Sequence, residues 1–178
     1  MAAWYRAKNP VLLFVLVFGF LLALFYALTL TPLFKKTLFP GYLRFNAQAG
    51  SSILNLLGQQ SSTSEFSISS ARFTVDIRRG CDAVEPTALF IAAVLAFPAA
   101  LRRKIPGVVA GVGLLALLNL VRILSLFLVG VYFPKAFESM HGDVWQALFI
   151  LLSLLLWALW VQWALKPRPP GATPHVPA

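Results

Sequence analysis

Apolar residues run almost unbroken over four stretches of the chain, 11–31, 84–101, 107–133 and 144–165. A helix of about 20 apolar residues crosses a hydrocarbon core of roughly 30 Å, so each stretch is a candidate membrane span. The first is long for a secretory signal, and the Pro32-Leu33-Phe34-Lys35 that follows it offers no small-residue cleavage site, so it reads as a retained helix. Between the first two spans, 32–80 is the one sizeable extramembrane segment. Within it Tyr42, Phe45, Ala49, Ile53, Leu56 and Leu57 recur at helical spacing, and Gly58 is placed to stop the helix. This predicts an amphipathic helix on the outer leaflet or against the bundle. The period then changes to two: Phe66 and Ile68 alternate with serines, and after Ser69-Ser70 the parity shifts to Phe73, Val75 and Ile77. That alternation predicts a small β-hairpin or bulged strand pair leading into Cys81. The predicted fold is an all-α polytopic membrane protein with about four transmembrane helices and a small extracytoplasmic amphipathic helix and β-hairpin. It forms one integral membrane domain over 1–165, followed by a Pro-rich cytoplasmic tail over 166–178 that reads as disordered.

Composition agrees: of 178 residues, 59% are hydrophobic and only 12% charged, which excludes an ordinary soluble domain. The net charge of +9 does not point to nucleic acid, because the basic residues flank spans. Arg6 and Lys8 precede the first, Arg102-Arg103-Lys104 separate the second and third, and Lys166 and Arg168 follow the fourth. With four spans these segments share one side, which the positive-inside rule makes cytoplasmic, with both termini. All six acids, Glu65, Asp76, Asp82, Glu85, Glu138 and Asp143, lie in the other two segments or at the helix ends that border them. Trp4, Tyr5, Tyr132, Trp145, Trp160 and Trp163 fall where interfacial aromatic belts are expected.

The chemistry concentrates at Arg78-Arg79-Gly80-Cys81-Asp82-Ala83-Val84-Glu85-Pro86, which holds the only cysteine. A lone thiol at the mouth of a membrane helix is either inert packing or a nucleophile. The helix dipole and the adjacent arginines are both expected to lower its pKa. Asp82 and Glu85 have capping-box spacing, so a structural reading stands beside a functional one, and Glu85 shares a face with Cys81 if the helix extends back that far. Arg122 lies inside an apolar run with Asn119 and Ser125 three residues to either side. An arginine within a membrane is costly and needs a partner or a wet cavity; in the purely structural reading it snorkels outward or pairs with Glu85. His141 stands directly before the fourth span, with Asp143 and Gln146 at capping-box spacing behind it, while His175 belongs to the tail. Cys81 and His141 then open helix ends on one side, and Arg122 lies roughly 16 Å below its own helix end. The three suit acyl transfer, with Cys81 attacking, His141 moving protons and Arg122 stabilising the oxyanion. One Cys and two His on opposite sides of the membrane offer no metal site, and no cofactor is implied.

The Gly80-Cys81 turn into a short helix, Asn119-x-x-Arg122 in the next and His141 before the last resemble the exosortase/archaeosortase family of membrane cysteine transpeptidases, over roughly residues 73–165. The resemblance implies a compact member with Cys81 as nucleophile, His141 as acid/base, Arg122 as electrostatic partner and Asn119, Asp82 and Glu85 in support. It also implies partners: exported proteins carrying a C-terminal motif, a transmembrane helix and a basic tail, cleaved at the outer face of the bacterial cytoplasmic (inner) membrane and transferred to an envelope acceptor. Where many members have Cys-Ser-Gly, this chain has Cys81-Asp82-Ala83. The alternative is a non-enzymatic assembly or transport factor held together by a buried Arg122–Glu85 pair.

Overall fold

Proline placement sets where the first helix starts and stops. In the computed structural model, which describes residues 9–78 and 80–166, helix α1 (Pro10–Leu30) starts on a proline whose missing N–H is not needed there. Thr31, extended because Pro32 follows, ends it. Trp4, Tyr5, Arg6, Lys8, Arg79, Arg168, His175 and the tail beyond 166 lie outside the described residues. A wider helical turn (Phe34–Leu38) leads into α2 (Phe39–Leu56), which stops just before Gly58 as the sequence predicts. Three short strands follow, β1 (Ser62–Ser64), β2 (Ser67–Ser69) and β3 (Thr74–Asp76). They form an antiparallel sheet in the order β1-β2-β3, with Thr63 opposite Ile68 and Ile68 opposite Val75. Then come α3 (Val84–Ala96), α4 (Leu101–Tyr132) and a helical run from Pro134 through wider turns into α5 (Trp145–Leu165).

The polytopic helical fold is as expected, with one strand more than a hairpin and one spanning helix fewer than four. Three helices are long and apolar enough to cross a membrane, α1, α4 and the run Pro134–Leu165. With 13 residues, α3 covers only about 20 Å. It ends because Phe97 is held extended by Pro98. The chain restarts at Leu101, so the basic triplet assigned to a loop is the first turn of α4. Those side chains cap their neighbours: Arg103 donates to the carbonyls of Ala164 and Lys166, and Lys104 to that of Leu95. The C-termini of α3 and α5 and the N-terminus of α4 therefore share one end of the bundle, with cations on exposed carbonyls.

The side of α2 turned to the bundle is not its most apolar one. Leu43, Asn46, Ala47, Gly50, Ser51 and Leu54 are buried, while Phe45, Leu56 and Leu57 are exposed. Small residues let α2 approach closely, and its inward polar groups are paired: Ser51 with Ser61 at 2.9 Å and Asn46 with Asn119 at 3.2 Å. Ile68, Val75 and Ile77 of the sheet segment pack with Leu43, Leu54, Ile123 and Phe127 in one core. A second core joins α3, α4 and α5 through Phe90, Leu115, Phe149 and Trp160. Trp160 is no interfacial anchor; it packs on Gly107 and donates its N–H to the Arg103 carbonyl at 3.1 Å. Trp145 is likewise buried, and of the expected belt residues among those described only Tyr132 and Trp163 are exposed.

Gly130 marks a close approach between the sheet segment and α4, because a Cβ there would overlap the Phe73 ring. Phe73 packs edge-on against Phe137, which stacks on the His141 ring at 5.7 Å. Gly130→Ala is therefore expected to displace this stack and to slow substrate processing at least tenfold, since small misplacements of a reacting group are costly. Processing of a coexpressed substrate at the wild-type rate would show that the stack does not position His141.

Candidate functional site

Cys81 lies on a loop that dips below the ends of the helices around it. Its N–H donates to the Arg78 carbonyl at 2.9 Å, closing a turn in which Gly80 takes φ +91°, a conformation glycine adopts freely. Asp82 accepts the Val84 N–H at 2.9 Å, and its own carbonyl accepts the Tyr42 hydroxyl at 2.7 Å. Asp82 thus caps locally, but the reciprocal box does not form: the residue before α3 is Ala83, and Glu85 is exposed. The helix does not extend back to Cys81, so Glu85 and the thiol share no face.

Tertiary packing brings the three expected groups together. Cys81 Sγ and His141 Nε2 share a hydrogen bond of 2.7 Å. The Arg122 guanidinium lies near enough to the same sulfur to act on it. Cys81 is 5% exposed and Arg122 2%. Arg122 stands ten residues before the α4 terminus at Tyr132, about 15 Å along the axis. The gap expected between it and the thiol is closed by the loop, which sinks until Cys81 packs on Leu126 and Trp145. His141 is not in a loop before the last helix but inside its wider turn Met140–Val144, so Asp143 caps nothing. Such one-residue expansions redirect side chains and recur at functional sites.

The electrostatics run opposite to the sequence expectation: the Cys81 thiol is raised, not lowered. Burial pushes it up and outweighs the downward pull of Arg122, while the Asp82 charge adds to the rise. Arg78 is exposed and engaged with Asp76 at 2.6 Å. The relevant cation therefore comes from α4, distant in sequence. No Arg122–Glu85 pair forms, and Arg78–Asp76 is the one salt bridge among the described residues. Arg122 also lies over the Phe149 ring at 6.0 Å. Asn119 is fully buried and bonds to Asn46, while Ser125 returns its hydroxyl to the Arg122 carbonyl of its own helix. Among the described residues no three His, Cys, Asp or Glu side chains group as metal ligands would.

Two residues at the site escaped the sequence reading. Tyr42 carried no signal, because its role depends on the packing of α2 against the Cys81 loop. Trp145 sits four residues after His141, a spacing that puts two side chains on one helix face, but it reads equally as a belt residue. Ala83 is a third local feature: a buried non-glycine residue at φ +57°. That conformation costs roughly 1 to 2 kcal/mol, against about 0.8 for the methyl group that glycine would expose or lose. Ala83→Gly is therefore expected to leave the thermal unfolding midpoint within a few degrees. Ala83→Val, β-branched at positive φ and overpacked, is expected to lower it by several degrees. Equal midpoints for the two variants in detergent would contradict this account.

A family model described as transmembrane exosortase matches residues 7–159. Searches of curated proteins and of solved structures return no match.

Proposed function

The chain belongs to the transmembrane exosortase family, and from that premise we propose that it is a membrane-embedded cysteine transpeptidase working through a thioester on Cys81. The observation that carries the reading is the 2.7 Å Cys81–His141 bond, with the Arg122 guanidinium near enough to act on the same sulfur. In the proposed reaction His141 takes the thiol proton as sulfur attacks the scissile carbonyl, and returns it to the leaving amine. An envelope acceptor then attacks the thioester, and Arg122 offsets charge on sulfur and oxygen. Asn119 and Asp82 act as supports, Asp82 through the loop it caps. Glu85, exposed in the first turn of α3, is assigned no step in this reaction.

The proposed substrates are exported proteins whose C-terminal motif precedes a transmembrane helix and a basic tail. A cleft of about 320 Å³ between α1, α3 and α4, lined by Leu21, Phe25, Tyr42, Ala88 and Ala92, supports lateral docking of such a helix. The gathering of Arg103, Lys104 and Lys166 at the opposite end from Cys81 supports a bacterial inner-membrane location with that end cytoplasmic and the site extracytoplasmic.

Coexpression with envelope proteins bearing such C-terminal helices tests the reading. Wild type should shorten the substrate and join it to an acceptor, and Cys81→Ala, Arg122→Ala and His141→Ala should leave it full length. Processing that survives all three substitutions would overturn the assignment.

A further inference from the structure

Buried polar atoms without a partner are uncommon in folded proteins, and here they are concentrated. Four such side-chain atoms occur among the described residues, and three of them, Asn119 Oδ1, Arg122 Nε and Trp145 Nε1, belong to residues around the Cys81 loop; the fourth is Trp157 Nε1. Arg122 lies near the sulfur, Trp145 packs with Cys81 and Leu126, and Asn119 lies one helical turn from Arg122 on α4. Indole and guanidinium nitrogens only donate. Their natural complement is an acceptor oxygen beside the nucleophile, and no side chain of the described residues supplies one to either atom.

We propose that the Trp145 indole N–H donates to the oxyanion formed when Cys81 attacks a substrate carbonyl, sharing that charge with Arg122. The inference rests on the acyl-transfer reading and adds a catalytic residue to it. In the step concerned, the thiol proton passes to His141 Nε2 and a C–S bond forms at the carbonyl carbon. The carbonyl π pair moves onto oxygen, where Trp145 and Arg122 bind it. Collapse re-forms the carbonyl and breaks the C–N bond, the amine leaves with the proton from His141, and the thioester remains. The helical run Pro134–Leu165 carries both His141 and Trp145, so the proton carrier and the donor are fixed relative to each other. Trp145 is 7% exposed, which keeps water from competing for its N–H.

Because Cys81 is the only cysteine, two small reagents separate this role from packing. Iodoacetamide alkylates a thiolate by displacement at carbon and develops no oxyanion, whereas p-nitrophenyl acetate acylates through a tetrahedral oxyanion. The full-length protein in detergent is compared with Trp145→Phe, which keeps an aromatic ring and removes the N–H. Alkylation should stay within about twofold, reporting an intact site and an unchanged thiol. Acetylation, read as a hydroxylamine-sensitive mass increase absent in Cys81→Ala, should fall about 10- to 100-fold. Unchanged acetylation, or an equal fall in both rates, would reduce Trp145 to packing and overturn the proposal. A wild type inert to both reagents would instead overturn the nucleophile reading on which it rests.

Discussion

Cys81→Ala is expected to reduce processing of a coexpressed tailed substrate by at least about 10⁴-fold, to the limit of detection. Removing a nucleophile eliminates the covalent route altogether, and what remains is binding and oxyanion stabilisation with nothing to stabilise. The same substitution should barely disturb the fold. Cys81 packs as a small apolar side chain beside Leu126 and Trp145, and its sulfur shares a hydrogen bond with His141. Loss of a single buried sulfur costs on the order of 1 kcal/mol. Wild-type accumulation in membranes together with absent processing is therefore the expected pair of results. Product at more than a few per cent of the wild-type rate would remove Cys81 from the chemistry.

The second large effect is at Arg122, where activity and stability should move in opposite directions. A buried arginine on a membrane helix costs roughly 2.5 to 3.5 kcal/mol on insertion scales, and Arg122 has no carboxylate partner among the described residues to offset that. Arg122→Met should leave the protein at least as resistant to heat in detergent as wild type, while processing falls at least 100-fold. The sign of the pH effect follows from the thiol's surroundings. Burial raises the Cys81 pKa and Arg122 lowers it, so removing Arg122 leaves burial unopposed. The inflection in iodoacetamide reactivity should move to higher pH, and the thiolate fraction near neutrality should shrink. Arg122→Lys keeps a charge but not the planar fork, so it should recover part of the inflection and little of the processing. A Met variant with unchanged inflection would show that the guanidinium does not act on the sulfur.

The membrane class, the helical architecture and the motif resemblance were legible because each depends on local order along the chain. Twenty apolar residues in a row mean a span wherever they occur, and Pro32 and Gly58 end helices by their own backbone geometry. Alternation in 66–77 located the sheet, although the third strand was missed because β1 is three exposed residues without an apolar period. Misreadings arose where tertiary packing overrode pattern. Apolar spacing on α2 left open whether Phe45 and Leu56 face lipid or the bundle, because in a lipid-facing protein the outward surface is apolar too and small polar residues fill the seam. Trp145 and Trp160 sat at span ends and read as belt residues, yet a glycine at 107 and the Cys81 loop drew both inward. Capping-box spacing at Asp82 and Asp143 did not yield a reciprocal box: Asp82 caps locally ahead of a left-handed alanine, and Asp143 lies within a helical run.

By itself the sequence determined that this chain crosses a membrane, that its cations gather toward one end, and that one thiol, one arginine and one histidine are the unusual residues among apolar spans. Hydrophobicity and charge are properties of residues, so they survive without coordinates. Only the tertiary structure decided that these groups meet. Their convergence requires α3 to be too short to span, the 77–83 loop to descend to the depth of Arg122, and a widened turn to aim His141 at the sulfur. Each of those depends on contacts between segments 40 to 60 residues apart, which no local spacing encodes.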